Sequence, residues 1–295
     1  MSGRLPNFLI CGTMKGGTTS LYHYLRDHPE IYFPKIKEVH YFNSNYHKGI
    51  EWYKRFFRGV TSRHKAIGEV TPAYMYFEFV PERIYEVLPD VKLIFILRNP
   101  IKRAYSHYWH SVRRGAEFLP FEEAIKIEKE RISKGRPYKG WYSYLDRGKY
   151  IQQIKRFLKY FSKDQMLILI IEELNQNLRE NMMKVFKFIN VECNFYNPDW
   201  KNKRYNPGMS PRNLTLQLTL NKIGAQVNKV GKGYRKLLSI IRKNNLARKL
   251  LFVSGYPKMP YEIMIKLDKY FKKYNQQLET FLGKKLTYWS IKHFD

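Results

Sequence analysis

The segment Gly12-Thr13-Met14-Lys15-Gly16-Gly17-Thr18-Thr19 gathers the residue types that hold a phosphate group. Gly16 and Gly17 leave no Cβ to keep an anion away from the backbone N–H groups. Lys15 adds a full positive charge, and Thr18 and Thr19 add hydroxyl donors. The apolar run at residues 7 to 11 (NFLIC) precedes this turn, and Leu21, Tyr22, Tyr24 and Leu25 follow it at helical spacing until Asp27-His28-Pro29. A strand, a glycine turn and a helix in succession also bring the positive end of the helix to the anion. The match to the nucleotide-triphosphate loop G-x-x-x-x-G-K-[ST] is incomplete. Gly12, Gly17 and Thr19 fit, but Thr18 stands where the lysine belongs and Lys15 lies ahead of the second glycine. That displacement counts against an ordinary ATPase. The plain alternative, a glycine turn with one surface lysine, is countered by the flanking strand and helix.

A second candidate anion site lies in KLIFILRNPIKRAYSHYWH. Lys92 to Leu97 reads as a buried strand that delivers Arg98 to its C-terminal end, where open α/β sheets bind ligands. Asn99-Pro100 opens a helix running to about Arg114, and Ser106 falls about two turns into it. An arginine fork and a hydroxyl donor suit a phosphomonoester. Alone, this reading would yield to a turn-capping arginine and a polar helix face; paired with the first loop, it points to a ligand with two separate phosphates.

The elements that must position these residues alternate along the chain. Strands are expected at Ile31 to Phe33, Ala66 to Val70 and Met166 to Ile171, besides the two above. Helices are expected at Trp52 to Phe57, Pro81 to Leu88, Phe121 to Arg131, Tyr150 to Phe161, Leu178 to Ile189 and 261 to 282, the last ended by Gly283. Gly135 to Gly140 reads as a loop. The alternation predicts an α/β fold with a P-loop-like central parallel sheet and helices on both faces. The 295 residues fit one domain spanning 1–295, with residues 201–260 as a basic loop and helical insertion or lid. Leu214 to Leu251 within it reads as helix, with Gly231, Gly233 and Gly255-Tyr256-Pro257 as interruptions.

Hydrophobic residues make up 44% of the chain and aromatics 16%, so a substantial core is expected and wholesale disorder is not. Lys and Arg number 54 against 25 Asp and Glu, a net charge of +29. That balance points to anionic ligands, an anionic polymer or a membrane surface, and makes nucleic acid the obvious rival partner. Much of it also fits a solvated lysine-rich surface. Cys11 and Cys193 define neither a disulfide framework nor a zinc site. No apolar run has membrane-spanning length or a signal-peptide layout, so a cytoplasmic enzyme is expected.

The first loop, within PNFLICGTMKGGTTSLYHYL, resembles the 5′-phosphosulfate-binding loop of the sulfotransferases, more narrowly the heparan-sulfate sulfotransferases and their bacterial relatives. The Arg98 to Ser106 segment resembles the family's 3′-phosphate motif, and the likeness covers most of residues 5 to 190 and the last ~25. It implies that 3′-phosphoadenosine 5′-phosphosulfate (PAPS) is the donor, that 3′-phosphoadenosine 5′-phosphate (PAP) is the product, and that no metal is required. By the same resemblance Lys15 contacts the 5′-phosphate and the oxygen bridging to sulfur, Gly16, Gly17, Thr18 and Thr19 cradle that phosphate, and Arg98 and Ser106 hold the 3′-phosphate.

Sulfuryl transfer needs a base for the acceptor proton and cations for the leaving phosphate. KEVHYF resembles the family's KEPHFF pattern, whose glutamate is catalytic, so Glu38 is the expected general base. His40 stands beside it to orient Glu38, bind the acceptor or act as base itself. A plain ion pair of Glu38 with Lys35 or Lys37 is the other reading. Val39 and Tyr41 depart from the pattern. Glu69 in GEVTPAY also matches a family position, but Val70 stands where heparan-type relatives carry a lysine near the donor sulfate, which weakens the case for a heparan-like acceptor. YLDRGKYIQQIKRFLKYF resembles a family segment in which Arg147, Gly148 and Tyr150 line the cofactor or acceptor cleft. KYNQQLETFLGKKLTYW resembles the family's C-terminal helix. The loop with Asn206, Pro211 and Arg212 resembles a bacterial pattern that supplies a cation to the 3′-phosphate, with Lys232-Gly233 as the competing candidate.

The acceptor classes that fit are a glycan, a glycolipid or a small metabolite, offering a hydroxyl or an amine. Three rivals are weighed. A P-loop-type nucleotide kinase lacks its lysine in place and a magnesium-binding aspartate at a strand end. A basic nucleic-acid-binding protein would need a recognition motif that the sequence does not show. An inactive scaffold is countered by the presence of Lys15, Glu38, Arg98 and Ser106.

Overall fold

The computed structural model describes residues 4–203, 205, 207–227, 244 and 250–293. The chain divides into two compact units, Met1–Arg98 with Tyr150–Asn206 and Gln277–Lys284, and Asn99–Lys149 with Pro207–Gln276 and Lys285–Asp295.

In the first unit the strands are β1 (Phe8–Gly12), β2 (Ile31–Tyr32), β3 (Ala66–Val70), β4 (Lys92–Leu97) and β5 (Met166–Ile170). They form one parallel sheet in the order β2-β3-β1-β4-β5. Its helices are α1 (Thr18–Arg26), α2 (Gly49–Lys54), α3 (Val80–Val87), α8 (Tyr150–Phe157), α9 (Ile171–Gln176) and α10 (Leu178–Phe188). Parallel strands covered on both faces are apolar throughout rather than alternating, which is why FLICG and KLIFIL read as unbroken runs. Phe8, Ile10, Ile94 and Ile96 share a core with Leu21 and Leu25 of α1 and Met182, Val185 and Phe186 of α10. Side chains alternate across the sheet, so Phe95 points the other way and meets Phe157 of α8 edge-on at 4.9 Å. Helices on both faces therefore cover the sheet. Because Ile10 pairs with Val70 and Gly12 with Phe95, the C-terminal ends of β1, β3 and β4 come level. From that rim the chain issues Lys15, Thr71 and Arg98.

The second unit contains α4 (Pro100–Arg113), α5 (Phe121–Lys126), α6 (Glu128–Ser133), α7 (Arg136–Tyr142), α11 (Leu214–Val227) and most of α12 (Tyr261–Leu282). Asn99 starts α4: its side-chain oxygen accepts from the N–H groups of Ile101 (2.9 Å) and Lys102 (3.2 Å), and Pro100 occupies the first turn, where its missing N–H costs nothing. Strands β6 (Met209–Pro211) and β7 (Phe252–Ser254) pair antiparallel.

Several local expectations are corrected. The loop expected at Gly135 to Gly140 is largely α7: Gly135 enters it at φ 101°, and Pro137 sits in its first turn. The helix expected from Phe121 to Arg131 breaks at Ile127 into α5 and α6. The β6–β7 pair replaces loop. Of the residues named for the 201–260 region, Asn206, Lys232 and Gly233 lie outside the described residues. Among the described residues, no helix is long and apolar enough to cross a membrane.

Candidate active site

The glycine-rich turn joins β1 to α1. Thr13 N–H donates to Ile96 O (2.8 Å) and Gly16 N–H to Thr13 O (2.9 Å), so the turn is fastened to β4 and to itself. Lys15 adopts φ 68° and Gly17 φ 106°. Gly17 caps α1 without any side-chain hydrogen bond, and the first turn of α1 carries no acidic residue. The helix start thus offers its N–H groups and positive end to an outside anion. A Cβ on Gly16 would lie 2.6 Å from the Ile96 carbonyl oxygen, and one on Gly17 2.6 Å from Ile171 Cδ1. Close packing of the loop against β4 and α9 therefore requires glycine at both positions. Gly16→Ala is expected to displace the loop, lowering unfolding free energy by about 1–3 kcal/mol, measured by denaturant titration, and weakening PAP binding in the same protein.

Arg98 leaves the end of β4 half-buried, and its Nη1 donates to the Lys15 carbonyl oxygen at 3.3 Å. Tyr150 is 1% exposed, and its hydroxyl donates to the Arg98 carbonyl oxygen at 2.8 Å. The first unit therefore brings Lys15, Arg98 and Tyr150 together, with Tyr150 bracing the Arg98 backbone. Ser106 belongs to the second unit, where it is buried on α4 and shares a hydrogen bond of 3.0 Å with the Tyr256 hydroxyl. Arg212 follows β6 there and is exposed, its N–H donating to Leu251 O at 2.9 Å. Arg147 is buried in that unit, with Nε donating to Ser143 Oγ at 2.7 Å.

Glu38 and His40 follow β2, and both adopt left-handed backbone, φ 65° and 56°. For such side chains this conformation costs about 1–3 kcal/mol each and persists only where the surroundings impose it. Glu38 N–H donates to Val70 O (3.0 Å) and His40 N–H to Thr71 Oγ1 (3.4 Å), while Asn45 Nδ2 donates to Val39 O (3.0 Å). Glu38 Oε1 lies 2.6 Å from Lys37 Nζ and Oε2 3.6 Å from His40 Nε2. Burial works against the Glu38 charge, but the His40 hydrogen bond and the Lys37 and His40 charges outweigh it and hold the carboxyl at about 2. Burial works against the His40 charge too, yet the hydrogen bond and charge of Glu38, with help from Asn43 and Glu69, raise the imidazole above its usual 6.5. The second ring nitrogen, Nδ1, meets Asn43 Oδ1 at 3.2 Å. Both ring nitrogens thus face oxygen acceptors, an arrangement that suits imidazolium.

Beneath this loop lies Glu69, 0% exposed at the end of β3. Three hydroxyls donate to its carboxylate: Thr71 (2.5 Å), Tyr74 (2.8 and 3.1 Å) and Tyr53. Burial pushes the carboxyl up, and those hydrogen bonds pull against it. Sequence reading missed Lys37 as a partner of the dyad beyond a plain ion pair, and missed Asn43, Thr71, Tyr53 and Tyr74 altogether. Thr71-Pro72 at a strand end is the one local signal that could have found any of them.

The family model for the sulfotransferase domain matches residues 5–280. The mouse heparan sulfate glucosamine 3-O-sulfotransferase 5 is 29% identical over 97% of this chain and 74% of its own length. The human bifunctional heparan sulfate N-deacetylase/N-sulfotransferase 2 is 35% identical over 64% of this chain, and the membrane-associated sulfotransferase kil1 of Dictyostelium discoideum 46% identical over 37%. The chain spans 22% and 24% of the lengths of these last two proteins. A crystal structure of a sulfotransferase from Alicyclobacillus acidocaldarius superposes with a TM-score of 0.70 at 26% identity, over 97% of this chain and 99% of that one. With a glycine turn whose lysine precedes its glycine pair and a family match that runs from β1 through most of α12, the chain belongs to the sulfotransferase family.

Proposed function

We propose that the chain transfers a sulfuryl group from PAPS to a hydroxyl or amine of an acceptor, with Glu38 as general base, residues 1–295 acting as one sulfotransferase domain. One observation carries this reading. Among the described residues, four non-glycine residues have positive φ, and three of them are Lys15, Glu38 and His40. Backbone strain concentrates where function requires a fixed geometry. Its coincidence with three residues singled out by type and spacing supports their assignment as loop cation and acid–base pair.

The roles follow from the chemistry. PAPS supplies a sulfuryl group on a good leaving phosphate. The Gly16-Gly17 turn and the start of α1 hold the 5′-phosphate, and Lys15 neutralises the charge that gathers on the oxygen released from sulfur. Glu38 takes the proton as the acceptor heteroatom bonds to sulfur, and the S–O electron pair leaves with the phosphate. His40 orients Glu38 and offsets its charge. Arg98 holds the 3′-phosphate, and Ser106 and Arg212 are assigned to it on their sequence positions alone. For the acceptor we propose a carbohydrate, free or on a lipid. The relatives named for heparan sulfate and the net charge of +29 support that class. Val70 after Glu69 sets this chain apart from heparan-type relatives, and a small metabolite is the alternative.

The test is calorimetric titration with PAP beside ATP and magnesium. Micromolar binding of PAP with little ATP binding is the expected result; tight ATP binding, or none by PAP, returns the chain to the kinase or nucleic-acid readings. In the same assay Arg98→Ala is expected to weaken PAP by about 10-fold or more and adenosine 5′-phosphosulfate, which lacks the 3′-phosphate, far less. Equal weakening of both removes the 3′-phosphate role from Arg98.

A further inference from the structure

We propose that Glu69 is a positioning residue that locks the Glu38–His40 loop through two hydroxyl relays, Thr71 and Tyr74. This deepens the sulfotransferase reading, on which the catalytic meaning of the loop rests. Thr71 Oγ1 donates to Glu69 Oε1 at 2.5 Å and accepts the His40 N–H at 3.4 Å. The Tyr74 hydroxyl donates to Glu69 Oε1 at 2.8 Å and accepts the Phe42 N–H at 3.4 Å. A hydroxyl has one proton and two lone pairs, and the Thr71 and Tyr74 hydroxyls both donate to the Glu69 carboxyl. Glu69 therefore draws both hydroxyl protons toward itself and leaves the lone pairs for the amides of residues 40 and 42. The Tyr53 hydroxyl also donates to Glu69, and its ring stacks on Tyr41 at 4.3 Å and 7°, so the residue between the two tethered amides is pinned as well.

This net explains how two consecutive alternate residues, Glu38 and His40, stay in left-handed backbone. Glu38 N–H is tied to the Val70 carbonyl, His40 N–H to Thr71 and Phe42 N–H to Tyr74, so every second amide is fastened to the last residue of β3 or to the segment that follows it. That segment is itself registered on β1: Thr71 N–H donates to Ile10 O at 3.1 Å and Met75 N–H to Cys11 O at 2.8 Å. The loop holding Glu38 and the strand leading to Lys15 are thus coupled through Thr71.

The test uses the full chain with Thr71→Val, which keeps shape and removes the hydroxyl, Thr71→Ser, which keeps the hydroxyl, Tyr74→Phe and Glu69→Gln. Three readouts are taken: amide hydrogen exchange at His40 and Phe42, PAP affinity by calorimetry, and kcat and KM for transfer from labelled PAPS to heparan sulfate oligosaccharides. Thr71→Val is expected to speed exchange at His40 about 10-fold or more, and Tyr74→Phe at Phe42, with core amides of β1 and β4 unchanged and PAP affinity within about 2-fold. Thr71→Ser restores most of the protection and rate lost in Thr71→Val, and kcat falls about 10- to 100-fold in Thr71→Val with little change in KM. Unchanged exchange at both amides overturns the proposal. So does a joint loss of PAP affinity and core protection, which would make Glu69 a general stabiliser. If the unaltered protein fails to bind PAP, the sulfotransferase reading fails, while the exchange data still decide whether Glu69 holds the loop.

Discussion

Lys15→Ala is expected to lower kcat by about 10³-fold, to the edge of detection, and to weaken PAP at the same time. The expectation follows from where the charge sits. Lys15 lies in the turn between β1 and α1, where the other groups assigned to the 5′-phosphate are backbone N–H groups and hydroxyls of Thr18 and Thr19. Those dipoles bind a phosphate already charged in the ground state, whereas the lysine ammonium also answers charge that grows on the leaving oxygen. Removing it costs rate as well as affinity. Alanine at a φ of 68° is no more strained than lysine there, so the fold is expected to stay intact. Thermal unfolding beside kinetics and calorimetry separates the two effects. Lys15→Arg is expected to rescue little, because a planar fork replaces a compact point charge in a turn bounded by Gly16 and the Arg98 contact. Near-normal turnover in Lys15→Ala sinks the loop assignment.

The parts of the fold that were legible in the sequence are those whose signal is local. KLIFIL became β4, NFLIC became β1 to within a residue, and the amphipathic run at 261 to 282 became α12, ended as expected by Gly283 at φ 66°. The β6–β7 pair was not legible, because its two short strands are joined through long separation in sequence and each lies among residues of mixed character. At the site the types and order of Lys15, Glu38, His40 and Arg98 could be read, since phosphate loops and their flanking strands are contiguous. The backbone conformation of Lys15, Glu38 and His40 could not: these residue types seldom adopt positive φ, and for Glu38 and His40 the loop is held by tertiary hydrogen bonds to Val70 and Thr71. Glu69 was visible only as a motif position. Its three hydroxyl partners come from Tyr53, Thr71 and Tyr74, of which Tyr53 reaches it from the far side of β3 in sequence.

The largest remaining effect concerns the acid–base pair. Glu38→Gln is expected to leave PAP binding intact and to lower turnover by about 10²- to 10⁴-fold. The pH profile then tells Glu38 from His40, because their shifts run in opposite directions. A base must be unprotonated to work. The Glu38 carboxyl is held at about 2, so if Glu38 is the base, kcat/KM does not fall as pH drops from about 8 to about 5, and protonation of its orienting partner His40 in that window sustains it. The His40 imidazole is raised above 6.5, so if His40 is the base, kcat/KM falls as pH drops through that raised value. The same pairing explains why a carboxyl so depressed can still serve. Its low value depends on Lys37 at Oε1 and His40 at Oε2, so an acceptor hydroxyl that took the place of Lys37 would withdraw one of those contacts and raise it. His40→Ala is accordingly expected to cost less than Glu38→Gln. An acidic limb above pH 6.5 that vanishes in His40→Ala, with that change the more damaging of the two, would transfer the role of base to His40 and leave Glu38 as the group that orients it.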